Sequence, residues 1–62
     1  MDYYFTTIAE AKAYAEKMSR KYRCTFYIVK WSDASLEVVG PLDMYAGMHN
    51  DKRTTKIKAQ EG

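Results

Sequence analysis

The sequence predicts a small α+β domain, in which one amphipathic helix packs on a small sheet in the order β-α-β-β. Three observations carry this. Ile8, Ala11, Ala15, Met18 and Tyr22 recur at steps of three and four, which is one stripe of a helix. CTFYIVKW, residues 24–31, is rich in β-branched and aromatic side chains and reads as a strand. The turn-forming SDAS then separates it from LEVVG, which makes a hairpin.

The elements follow in order. DYYFT, residues 2–6, is short and aromatic and reads as a first strand. Thr7 with Glu10 three places on is a capping box that sets the helix start. Glu16 and Arg20 stand four apart in the favourable order for a pair. No glycine stops the helix, so its end is expected near Tyr22, where β-forming residues take over. Gly40-Pro41 ends the second hairpin strand, because proline cannot donate to a ladder. Asp43 is placed to cap a single helical turn over Met44–Ala46 that Gly47 would close, and MHNDK reads as loop. RTTKIKAQ alternates Thr55, Ile57 and Ala59 against Thr54, Lys56 and Lys58. It is either a lysine-protected fourth edge strand or a disordered tail. Residues 1–62 thus form one domain, with an ordered core over about 2–48 and the rest, 49–62, as tail or edge strand.

A tight turn at Asp33-Ala34 sets the hairpin register. It puts Trp31 opposite Leu36, Lys30 opposite Glu37, Val29 opposite Val38 and Ile28 opposite Val39. One face is then Tyr27, Val29, Trp31, Leu36 and Val38, with no charge, and it suits the helix stripe. The other is Phe26, Ile28 and Val39, with Lys30 and Glu37 at the tip. A shift of one residue would exchange the faces.

Size and composition restrict function. A chain of 62 residues buries only roughly 60% of the surface its unfolded form exposes, so it needs support. A single cysteine, Cys24, allows no internal disulfide and suggests a reducing compartment. A single histidine, His49, leaves no Cys/His set for zinc, and no cofactor is expected. Self-association, a partner, or dense packing by the nine aromatics remain as supports. No apolar run approaches the ~20 residues of a membrane span. MDYYFTTIAE lacks the basic and apolar regions of a signal peptide, so the chain reads as a complete cytoplasmic product.

Charge comes in blocks. Residues 17–30 carry five bases and no acid, residues 31–51 four acids and no base, and Lys52, Arg53, Lys56 and Lys58 follow. Such blocks favour a complementary partner or internal pairing.

Catalysis is not expected. His49 lies in a polar loop, and Cys24 has only Arg23 beside it to favour a thiolate. Asp33 and Glu37 flank the hairpin tip with no sign of the desolvation a general acid needs. There is no glycine-rich phosphate loop, so no small-molecule substrate is implied.

Two binding functions remain. If the helix covers the uncharged face, Phe26, Ile28 and Val39 with Tyr4 make an apolar patch rimmed by Lys30 and Glu37. Monomers rarely leave such patches bare, so the patch is expected to bind a protein partner or a second copy as a homodimer. The competing expectation is that Met44, Tyr45, Met48 and Ile57 fold back over it. The alternative function is nucleic-acid binding by the basic helix end (Lys17, Arg20, Lys21, Arg23) and the basic tail (Lys52, Arg53, Lys56, Lys58). Cations at a helix C-terminus are also explained by the helix dipole alone.

In layout the chain resembles small phage-encoded accessory proteins. The features are an aromatic first strand, YYFT, a TxxEAxxYA helix and a TFYIVKW hairpin, over residues 3–40. The resemblance implies an inhibitor that binds and blocks a host or defence complex in the host cytoplasm.

Overall fold

The computed structural model describes residues 3–43 and 51–59. Its elements are β1 (Tyr3–Phe5), α1 (Ile8–Tyr22), β2 (Phe26–Ser32), β3 (Ser35–Val39), a 3-10 turn (Pro41–Asp43) and β4 (Thr54–Ile57). The four strands form one antiparallel sheet in the order β1-β3-β2-β4. This is the small α+β domain the sequence predicts. Of the two alternatives for RTTKIKAQ, the strand is the one observed, hydrogen-bonded to β2. The expected turn over Met44–Ala46 and Gly47 lies outside the described residues, as do Met48 and His49.

The helix begins and ends where its local chemistry dictates. Thr7 is the N-cap, with extended backbone, and its side-chain oxygen accepts from the Glu10 amide at 3.3 Å. The Thr7 hydroxyl in turn donates to Glu10 Oε1 at 3.0 Å, so Glu10 reaches back to the cap's side chain and not to its backbone amide. At the other end Arg23 takes the left-handed conformation, φ 53°, that reverses the chain toward β2. Glycine is the usual residue there, and a side chain in that region costs about 1 kcal/mol more.

The buried stripe of α1 is Ala11, Ala15 and Ser19, a turn apart. Ile8 and Tyr22, expected in the stripe, are exposed at the two ends. Ser19 escapes a hydrophobicity pattern, yet it is buried because its hydroxyl donates to the Glu16 carbonyl at 2.9 Å. Three small residues let the helix sit close on the sheet. Ile28, Leu36, Val38 and Ile57 fill the contact, with Phe5, Tyr14 and Phe26 packed around them. Phe5 and Tyr14 stack at 5.4 Å, which ties β1 to the helix.

The hairpin register corrects the sequence expectation. The tight turn at Asp33-Ala34 is there, and Ser32 pairs with Ser35. The register then slips by one between Lys30 and Ser32, which leaves Trp31 as the extra residue of a bulge. Beyond it Lys30 pairs with Leu36, Val29 with Glu37, Ile28 with Val38 and Tyr27 with Val39. One residue of slip exchanges the faces. Phe26 and Ile28 therefore lie under the helix, with Ile28 only 1% exposed, and they are core where a partner patch was expected. Tyr27 and Val29 belong to the opposite face, where they form a second small cluster with Val39. The Lys30–Glu37 pair does not form; Lys30 instead meets Asp33 across the turn at 3.6 Å, in solvent.

Candidate partner-binding surface

The face away from α1 is built in cross-strand rows. Tyr4 pairs with Glu37, Glu37 with Val29, and Val29 with Thr54. Glu37 thus sits near the middle of the sheet and is fully buried. Burying a carboxyl group without hydrogen bonds costs several kcal/mol, roughly 2–7 for an uncharged polar group and more for a charge. Trp31 answers part of this, since its indole Nε1–H donates to Glu37 Oε1 at 2.8 Å. The bulge makes the contact possible by turning Trp31 onto the Glu37 side of the hairpin.

The indole remains 40% exposed, and Tyr4, the direct cross-strand neighbour of Glu37, is 61% exposed. Two accessible rings therefore flank one buried carboxyl group. Arg53 adds a third part, with its guanidinium carbon 5.8 Å from the Trp31 ring centre. Asp51 holds that guanidinium, with Nε to Oδ1 at 3.0 Å and Nη2 to Oδ2 at 3.1 Å. Asp51 also accepts from the Arg53 amide at 2.8 Å, and its carbonyl accepts from the Thr54 amide at 3.0 Å. These bonds form the turn that starts β4. The Arg53 side-chain hydrogen bonds, then its backbone amide, lower the Asp51 pKa from 3.8 to about 2. The same pairing pushes the Arg53 pKa further up. Arg53 also accepts from the Lys30 amide through its carbonyl, at 2.8 Å, which joins β4 to the hairpin at this level.

Of the six residues expected to bind a partner, the structure brings Tyr4, Glu37 and Val39 onto this face. Phe26 and Ile28 are on the helix side, and Lys30 pairs with Asp33 at the tip. Trp31, the central residue here, was expected under the helix. Its signal in the sequence is that a strand indole needs an acceptor, and Glu37 is the acceptor within hairpin reach. The eight candidate nucleic-acid residues do not gather on one surface. Lys17, Arg20, Lys21 and Arg23 are exposed at the helix end. Lys56 is exposed on β4, Lys52 and Lys58 are exposed on either side of it, and Arg53 is held by Asp51. Among the described residues no group of three or more His, Cys, Asp or Glu side chains could hold a metal ion. No described helix is long and apolar enough to cross a membrane.

The fold and this surface define a small α+β domain with an aromatic and charged tip. No family model, curated protein or solved structure matches the chain.

Proposed function

We propose that the chain is a non-catalytic protein-interaction module that docks through Trp31, Tyr4 and Arg53, and that its first partner is a second copy of itself. The observation that carries this is the pinned indole. A half-exposed tryptophan is held by a fully buried carboxyl group and backed by a clamped arginine. Tryptophan, tyrosine and arginine dominate the energetics of protein interfaces. Side chains already held in place lose less entropy on binding.

The second copy is favoured by self-complementarity. Beside the rings stand two internally neutral pairs, Lys30–Asp33 and Arg53–Asp51. A two-fold contact sets each patch against its own copy and needs both charge signs on it. A phage-type inhibitor, as the layout implies, would offer the same surface to a host protein.

Light scattering across a concentration series tests the reading. The wild type should rise from monomer to dimer mass, and Tyr4→Glu should remain a monomer with an unchanged circular dichroism spectrum. A wild type that stays monomeric up to millimolar concentration would sink the self-association.

A further inference from the structure

We propose a second, separate site: the C-terminal end of α1 binds single-stranded nucleic acid, with Tyr22 as a stacking platform and Lys17, Arg20, Lys21 and Arg23 on the phosphates. It lies at the opposite end of the sheet from Trp31. Tyr22 packs against Phe26, the first residue of β2, whereas Trp31 is beside the hairpin turn.

Three observations converge here. The first is charge without ion-pair partners among the described residues. Lys17 has Arg20 and Lys21 three and four residues on as neighbours on the helix surface, where like charges repel. Among the described residues none of them, nor Arg23, forms an ion pair, although Glu16 stands one turn before Arg20. The described acids at the other end, Asp33 and Asp51, are both paired. An approaching polyanion would relieve the repulsion.

The second is backbone strain. Arg23 holds a left-handed conformation in which glycine would be less strained. The helix dipole accounts for cations in the last turn, Arg20 and Lys21, but gives no reason for an arginine at that point.

The third is an accessible aromatic ring inside the cluster. Tyr22 is 58% exposed, and its ring lies 6.2 Å from that of Phe26, which steadies it. Lys21 lies over the ring at 5.3 Å, an exposed contact that a base can displace while the ammonium moves to a phosphate. Aromatic rings with surrounding cations are how single strands are held without sequence preference. An acidic protein surface would use the cations but not the ring.

Fluorescence anisotropy with a labelled oligothymidylate tests this on the full chain. Four phosphate contacts to a single strand predict a log–log salt slope of about −2.8, so binding should weaken about 50-fold between 50 and 200 mM salt. Arg23→Gly separates binding from folding, because it removes a cation and relieves the strain together. Its melting temperature should rise by about 5 °C, while its salt slope falls to about −2.1. Tyr22→Leu should weaken binding by about tenfold with the slope unchanged. An Arg23→Gly slope equal to the wild type's would overturn the site. Equal affinity for polyglutamate, with no effect of Tyr22→Leu, would overturn the nucleic-acid assignment in favour of an acidic protein. Tyr4→Glu should leave the salt slope and the effect of Tyr22→Leu unchanged, so the site stands or falls apart from the dimer.

Discussion

The two faces of the sheet solve burial differently. Under α1 the contact is aliphatic: Ile28, Leu36, Val38 and Ile57 meet a helix stripe of alanine and serine. On the other face an apolar cluster of Tyr27, Val29 and Val39 adjoins a buried carboxyl group, and an indole lies across it. The first face needs only shape and volume. The second needs a particular donor at a particular place, and of its residues Trp31 and Tyr4 reach solvent. A face whose buried carboxyl group holds an accessible indole is suited to recognition, whereas a sealed aliphatic face is suited to stability.

The largest expected effect tests the first face. Ile28→Ala should cost about 2–5 kcal/mol by urea denaturation, because it opens a cavity under the helix. In a domain this small that loss should leave much of the chain unfolded at room temperature. If Ile28→Ala folds normally and instead loses partner binding, the two faces are exchanged.

Next comes the carboxyl group of the second face. Glu37→Ala should cost about 1–3 kcal/mol, since the Trp31 N–H loses its acceptor. It should also free the indole, seen as a red-shifted and more mobile Trp31 fluorescence. Glu37→Gln keeps an acceptor and should cost less. Equal losses for the two variants would mean that the carboxylate itself, which both remove, matters, and that neither the side chain's volume nor a neutral acceptor does.

The smallest effect is electrostatic. The Asp51 pKa is depressed in the fold, from 3.8 to about 2. A depressed carboxylate stabilises the folded state fully above its unfolded pKa, and that contribution is lost as pH falls through the folded value. The wild type's advantage over Asp51→Asn should therefore shrink between about pH 4 and pH 2. Urea midpoints of both proteins across that range would show it. A constant difference would mean that the Asp51–Arg53 fork contributes through geometry alone.

Much of the fold was legible along the chain. Thr7 and Glu10 mark the helix start, and Tyr22 its end. The two hairpin strands and their turn fall where the β-forming and turn-forming residues stand. Ile57 pointed inward as its alternation allowed, although alternation could not choose between a strand and a tail. The candidate surface was only half legible. The sequence pattern points to Tyr4 and Glu37, but it places Trp31 in the core and Arg53 only with nucleic acid. Asp51, two residues before Arg53, carried no signal until the β4 turn formed around it.

What the sequence by itself determined is therefore local: where elements begin, end and turn. Caps, turn residues and periodicity act within a few neighbours, so their energetics are complete in the chain. Which face of the hairpin meets the helix was decided only by the tertiary structure. One extra residue at Trp31 reverses every side chain beyond it, and both registers bury similar apolar groups. The helix could approach closely only over Ala11, Ala15 and Ser19, and the indole needed an acceptor that the opposite face supplied. Those two demands come from groups far apart along the chain, and together they select the register.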